Sequence, residues 1–376
     1  MLYSSNLVII NNYNSKYIFK YLYIIYMKIG FIVGRTEEEY YDINNLSKQT
    51  PKKYLVDGKY LMVDVAIAMT AKLTYPNITV DIILPKEITL TRLQKNYVNF
   101  IVGYDIINAN LGDPYVHKFS TIKGIKNLEN IYKNKKSKIF PPYEHLNFIW
   151  NKDKYMNYML KKNIPITPYI ILNNINTDKL IKQIKDNKWK KFILKPIGST
   201  SKEGFKLFTL NKILQNKKEL TEYLEENNHY TKFIVQEFIS GFGKFGEIRI
   251  FWINEEYSYA VNTRDVGGDV EMVVTPVKDE KRLEKCKEIG KKVIENIPKI
   301  KIKGKIVKPV MNRTDFACCL NNDKISSYKY YLNEIEHQDA GTFTNIPFNE
   351  EIIYPITTIL ADAFVKKAYE LKSINF

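Results

Sequence analysis

The order of apolar runs at the start of the chain most narrows what it can fold into. Lys28-Ile-Gly-Phe-Ile-Val33 has the pattern of a buried strand and is closed by Gly34. Val56–Lys72 then carries Leu61, Val65, Ala68 and Met69 at helical spacing. Thr79–Leu84, stopped by Pro85, and Asn99–Tyr104 are two further apolar runs. Strand, helix and strand in that order predict an α/β unit built on a small, mostly parallel sheet. The charge run Lys133–Lys138 and the pair Pro141-Pro142 mark its far boundary, which places this unit over residues 27–140.

A second unit is expected over 141–238 and a third over 239–376. Asn151–Lys162 reads as a helix, with Asp153 in its first turn and Lys161-Lys162 in its last. Ile164-Pro-Ile-Thr-Pro168 leads into a strand at Tyr169–Leu172, followed by a short helix over Asp178–Asp186. Phe192–Lys195 and Lys232–Gln236 are strands. Glu247–Ile253 and Tyr257–Asn262 alternate as a hairpin around Asn254–Glu256. Glu280–Asn296 is a helix, Thr314–Leu320 and Tyr328–Glu336 are strands, and Val365–Lys372 belongs to a closing helix.

The chain is basic, with a formal net charge of +16, and such a balance can draw nucleic acid, anionic lipid or acidic substrates. Here Lys, Asn, Ile and Tyr are spread along the whole length. The lysines are not interleaved with aromatics in one stripe, and no nucleic-acid-binding module is visible, so nucleic acid is not an expected partner. The three cysteines, Cys286, Cys318 and Cys319, form no CxxC, which argues against a disulfide framework or a cysteine zinc site and for a reducing, cytoplasmic setting. His117, His145, His229 and His337 show no metal-binding spacing. Lys16, Lys20 and Lys28 interrupt any uncharged apolar stretch of about 18 residues at the start of the chain. Neither a membrane span nor a signal peptide is expected over residues 1–26, which read as a disordered or non-native extension, and the folded part is expected to begin near Met27.

Four segments carry chemistry. In Phe192-Ile-Leu-Lys-Pro-Ile-Gly-Ser-Thr-Ser201 a lysine ends an apolar strand and a short Gly/Ser/Thr loop follows. The strand fixes the ammonium and the loop offers N–H groups and hydroxyls, an arrangement suited to a polyphosphate but also to an ordinary turn. Phe233-Ile-Val-Gln-Glu-Phe-Ile239 could offer backbone groups and Glu237 to an adenine edge, or simply be a strand with two exposed polar residues. Arg313-Thr-Asp315 and Asn333-Glu334-Ile335-Glu336 lie on two strands separated by the turn signal Asn321-Asn322-Asp323-Lys324. Residues i and i+2 of a strand share a face, so Glu334 and Glu336 project together, as do Arg313 and Asp315. Three carboxylates at one strand end repel unless a cation joins them, and hard oxygen ligands completed by phosphates suit Mg²⁺. A solvated acidic face paired with Lys or Arg would show the same pattern. Finally, Glu247 and Arg249 share a face in Gly246-Glu-Ile-Arg249, with Arg264-Asp265 after the next strand. An arginine fork suits a carboxylate or phosphate, and equally a surface ion pair.

Over about residues 145–345, the order Asp153-Lys154, Phe-Ile-Leu-Lys195-Pro, Val-Gln-Glu237-Phe-Ile, Glu-Ile-Arg249, Arg313-Thr-Asp315-Phe and Asn-Glu334-Ile-Glu336 resembles the ATP-grasp superfamily. It is most similar to the D-alanine–D-alanine ligase, glutathione synthetase and ribosomal-protein glutamate ligase group. The resemblance implies an α/β (α+β) ATP-grasp fold preceded by a small parallel-sheet domain. It implies that Lys154 and Lys195 hold ATP phosphates, that Ser199, Thr200 and Ser201 lie on the phosphate-covering loop, and that Gln236, Glu237, Phe238 and Ile239 line the adenine pocket, with Glu247 also facing the nucleotide. Asp315, Glu334 and Glu336 would bind two Mg²⁺ ions, or Mn²⁺ in their place. Arg313 would steady the transferring phosphoryl group, and Arg249 and Arg264 would face the acceptor or the acyl phosphate.

The sequence departs from the family at three places. Glu336 stands where Asn is common, His337-Gln-Asp-Ala-Gly341 where Pro-Gly is common, and Lys202-Glu203 where glycines are common. The resemblance implies an activity that joins a small-molecule or peptide carboxylate to an amine through an acyl phosphate, and related enzymes often pair as homodimers. A small-molecule kinase or a non-catalytic nucleotide-binding protein would use the same residues.

Overall fold

The structure, a computed structural model, describes residues 27–34, 39–40, 45–103, 128–173, 176–197, 204–228, 230, 232–264, 273–319, 329–338, 340–344 and 355–376. The expected N-terminal extension, Ser199, Thr200 and Ser201, Lys202-Glu203 and the turn at Asn321–Lys324 lie outside the described residues.

Strands β1 (Met27–Ile32), β2 (Ile78–Ile83), β3 (Val98–Ile101) and β4 (Ile139–Phe140) pair in the order β2-β1-β3-β4, all parallel. Helix α1 (Val63–Thr74) packs beside them with its face from Val65 to Ala71 buried. It starts seven residues later than the apolar spacing predicts. Asp57 and Gly58 both take positive φ, 50° and 68°, and the turn they make pairs Val56 with Tyr60, so the chain folds back before the helix can begin. The aromatic centre of this unit joins Phe31, Phe100 and Phe140 with Phe364. Phe364 belongs to the last helix, Ile356–Ser373, whose buried face lies in the same core. The closing helix therefore packs on the first sheet, although sequence order places it with the third unit.

Helices α2 (Tyr143–Trp150) and α3 (Lys152–Lys161) follow, broken at Asn151. The second sheet contains β5 (Tyr169–Leu172), β6 (Lys191–Pro196), β7 (Lys206–Thr209) and β8 (Phe233–Glu237), antiparallel in the order β5-β8-β6-β7. Helices α4 (Thr177–Asp186) and α5 (Lys218–Glu226) cover one face, burying Leu180, Ile184, Leu220 and Tyr223 against Phe192, Leu194, Phe233 and Val235. Strand alternation puts Ile193, Lys195, Ile234 and Gln236 on the opposite face.

The third sheet is β11-β10-β9-β14-β15, from β9 (Glu247–Ile253), β10 (Glu256–Arg264), β11 (Val273–Pro276), β14 (Met311–Cys319) and β15 (Lys329–His337). Between them the short ribbon β12 (Ile300–Ile302) and β13 (Lys305–Val307) packs into the N-terminal core. The β9–β10 hairpin turns through Asn254 and Glu255, at φ 52° and 64°, the pattern of a type I′ turn matched to strand twist. Helix α6 (Glu280–Asn296) covers the rear face of this sheet. Its Gly290 permits the close approach: a Cβ there would stand 2.5 Å from Trp252 Cζ2. The final helix, Ile356–Ser373, is α7. Among the described residues no helix is long and apolar enough to cross a membrane.

Candidate active site

The acidic hairpin reads out residue by residue. Across β14 and β15, Arg313 faces Glu336 and Asp315 faces Glu334, while across β14 and β9, Asp315 faces Arg249 and Ala317 faces Glu247. Directly opposed residues share a face. Ile335, Thr314 and Ile250 point the other way into the core beneath α6. A bulge between Asp315 and Phe316 makes Asn333 the extra residue on β15. Asn333 Nδ2 donates to Glu247 Oε1 at 2.7 Å.

Every carboxylate in this group meets a cation or an amide. Arg313 forks onto Asp315, with Nε to Oδ1 at 2.9 Å and Nη2 to Oδ2 at 2.8 Å, and Asp315 is fully buried. Arg313 Nη2 also lies 3.7 Å from Glu336 Oε1. Arg249 holds Glu247 Oε2 through Nη2 at 3.0 Å and reaches Asp315 Oδ2 at 3.8 Å. Lys152, in the first turn of α3, is ion-paired with Glu334. Lys195 looks in from the second sheet and feels the charges of Lys152, Glu247, Glu336 and Asp315.

Burial, followed by the nearby Lys152 charge, pushes the Lys195 ammonium down to about 7 against the pull of the acidic groups. Burial likewise lowers Lys152, opposed by Glu336, Asp315 and Glu247. For Arg313, burial works against the charge, but Asp315 and Glu336 outweigh it and hold the guanidinium charged above its ordinary range. Burial raises the Glu237 carboxyl.

The structure thus brings together Lys195, Glu247, Arg249, Arg313, Asp315, Glu334 and Glu336. Two expected members stand apart. Lys154 is exposed on α3, whereas Lys152 on the same helix joins the charged cluster through Glu334. The physical reason is helical spacing: Tyr155, Met156 and Met159 form the buried face of α3, and Lys152 lies three and four residues before the first two, on that face. This signal was present in the sequence. Arg264 ends β10 one residue beyond Thr263, which lies opposite Glu247, so the pleat turns Arg264 to the reverse face, where it is exposed.

The expected metal trio shares one end of the hairpin, yet among the described residues no three His, Cys, Asp or Glu side chains are gathered around a common point. The reason is the pairing above, which turns Asp315 to Arg313 and Glu334 to Lys152. The donor chemistry itself, carboxylate oxygen throughout, suits Mg²⁺. At the adenine end, Gln236 is buried and its Nε2 finds no partner. Glu237 N donates to Pro168 O, Phe238 N donates to Lys191 O, and Ile239 is buried. An unmet amide donor on the Lys195 face fits a ligand that brings acceptors.

Neither the models of known families nor the curated proteins contain a match to this chain. Solved structures do match. D-cycloserine synthetase DcsG aligns over 91% of this chain and 99% of its own, with a TM-score of 0.57 at 9% identity. D-alanine–D-alanine ligase from Bacillus anthracis, complexed with ATP, aligns over 92% and 99%, with a TM-score of 0.55 at 13% identity. The ATP-grasp ligase PsnB, complexed with a phosphomimetic variant of its minimal precursor, Mg and ADP, aligns over 91% and 98%, with a TM-score of 0.51 at 11% identity. This chain has the ATP-grasp fold.

On the ATP-grasp frame, the clustered charges belong to two separate sheets. Lys195 comes from the second sheet, while Glu247, Arg249, Arg313, Asp315, Glu334 and Glu336 come from the third. Lys152 arrives from the helix between the first and second sheets.

Proposed function

We propose that this chain is a carboxylate–amine ligase that consumes MgATP, activates an acid as an acyl phosphate and releases ADP and phosphate. The supporting observation is the interleaving of Glu247, Asp315, Glu334 and Glu336 with Arg249, Arg313, Lys152 and Lys195 beside the unmet Gln236 amide. DcsG, D-alanine–D-alanine ligase and PsnB, all named as synthetases or ligases, share this fold, and two of them were solved with ATP or with Mg and ADP.

In this reading Asp315, Glu334 and Glu336 hold two Mg²⁺ ions, for which Mn²⁺ can substitute. Bound metal supplies Lewis-acid polarisation and offsets charge on the phosphates. Lys195 and Lys152, rather than Lys154, meet phosphate oxygens, and Ser199, Thr200 and Ser201 cover them. Gln236, Glu237, Phe238 and Ile239 line the adenine, and Glu247 faces the nucleotide. Arg313 neutralises charge on the transferring phosphoryl group. Arg249, held by Glu247, orients the acyl group for the incoming amine. No side-chain nucleophile takes part. Arg313 and Lys152 now pair with Asp315 and Glu334, the residues that would hold the metal, and both cations would then be available to the nucleotide. Amino acids or peptides are the proposed substrates.

A screen of amino acids and dipeptides for ADP release in the presence of Mg²⁺ tests the reading. Glu334→Ala, at a half-buried position, should abolish the stimulated release while the melting temperature holds. Undiminished turnover in that variant would refute the site. ADP release without an amine, yielding a stable phosphorylated product, would identify a kinase instead.

A further inference from the structure

Phe343 lies at φ 53°. This left-handed backbone suits glycine and is an outlier for a bulky aromatic residue, so its surroundings must hold it there. The loop is fastened at three successive points. Ala340 N donates to His337 O at 2.9 Å, Arg313 Nη1 donates to Gly341 O at 3.1 Å, and the Tyr259 hydroxyl donates to Thr342 O at 2.9 Å. Tyr259 stacks on Phe251 at 4.2 Å, and Phe251 meets the Phe343 ring edge-on at 6.3 Å.

The ring so placed serves two arginines. Its centroid lies 5.3 Å from Arg249 Cζ and 5.9 Å from Arg313 Cζ, both within cation–π range. The same two guanidiniums converge on one oxygen, Asp315 Oδ2, at 3.8 Å and 2.8 Å. Two like charges drawn to one carboxylate repel each other, and the π face is a second neutralising group.

This matters most for Arg313. Its acidic partners are Asp315 and Glu336, both assigned above to the metal. With those carboxylates given to Mg²⁺, Arg313 would keep, among the described residues, the Gly341 carbonyl and the rings of Phe343 and Phe251. Arg249 keeps Glu247 as well.

We propose that Phe343 is a positioning residue that keeps Arg313, and with it Arg249, aimed at the reacting phosphate when Asp315 passes to the metal. The proposal rests on the ligase reading. It goes beyond that reading by giving a role to an uncharged residue in the loop after the hairpin.

Phe343→Leu retains apolar bulk and removes the π face, whereas Phe343→Tyr retains both. Calorimetric titration with MgADP, and with MgADP plus aluminium fluoride as a mimic of the transferring phosphoryl group, separates ground-state binding from stabilisation of the transfer. The Leu variant should bind MgADP like the parent and lose about tenfold in affinity for the aluminium fluoride complex. The Tyr variant should restore it, with all three proteins melting alike. Loss of both affinities together with a falling melting temperature would mean a merely structural ring and overturn the proposal. A Leu variant that binds both complexes as the parent does overturns it too. A parent that binds no MgADP overturns the ligase reading, and this inference with it.

Discussion

Lys195 sits near its titration midpoint in the absence of ligand, at about 7, because burial and Lys152 both disfavour its charge. A bound triphosphate favours the ammonium and raises its midpoint, so binding draws a proton onto it at pH values between the free midpoint and that of the complex. At pH 8 to 9, ATP binding should therefore take up close to one proton, visible as a dependence of the calorimetric enthalpy on the buffer's ionisation heat. Affinity should fall as pH rises through this range. Lys195→Arg should abolish the uptake while retaining binding. A proton count of zero in the parent would place Lys195 away from the phosphates. The two helical lysines give a second contrast. Lys152→Met should weaken ATP binding by about tenfold, the loss of one partly desolvated charge contact, and Lys154→Met should leave it unchanged. Equal effects at both positions would erase the distinction between the buried and exposed faces of α3.

At the scale of elements, α6 owes its close seat on the third sheet to Gly290. Trp252 cannot retreat easily, since it is buried and its Nε1 donates to Thr314 Oγ1 at 2.9 Å. Gly290→Ala gains about 1 kcal/mol of helix propensity and meets an overpacking cost of about 1–3 kcal/mol, so net destabilisation is expected. A higher melting temperature would show that the indole yields. Elements also show what the sequence could and could not reveal. The pairing of Glu334 with Glu336 and of Arg313 with Asp315 was legible because strand alternation is a local rule, and the β9–β10 hairpin was legible from its alternation. The start of α1 is hidden in the sequence because the apolar spacing continues through Asp57-Gly58, whose turn geometry overrides it. The choice between Lys152 and Lys154 is legible only from the buried face of α3, which Tyr155, Met156 and Met159 define. The departure of Arg264 from the cluster depends on the β9–β10 register, which sets Thr263 opposite Glu247 and turns the next residue away, and composition does not specify that register. The roles of Asn333 and Phe343 arise from a bulge and a left-handed residue, features with no local signature here.

At the scale of the whole molecule, contacts far apart in sequence decide the architecture. Gln338, one residue past the hairpin, donates from Nε2 to Ile101 O at 2.9 Å and to Phe140 O at 3.2 Å, tying the charged sheet to the edge of the first one. Helix α7 reaches farther still, and no sequence pattern could have assigned it to the first sheet. Phe364→Ala should cost about 3–5 kcal/mol in denaturant unfolding. Hydrogen exchange should then show β1 and β3 losing protection while β6 and β8 keep theirs. Uniform loss over all sheets would mean that the molecule opens as one unit.

Synthesis runs from the amino end, so β1 to β4 leave the ribosome long before Phe364 does. Until α7 emerges, the aromatic patch around Phe31 and Phe100 has no permanent cover and is exposed to chaperones or to a neighbouring nascent chain. A message cut short before α7 would thus spoil the part of the protein made first, because the cover of its core is encoded more than two hundred residues downstream.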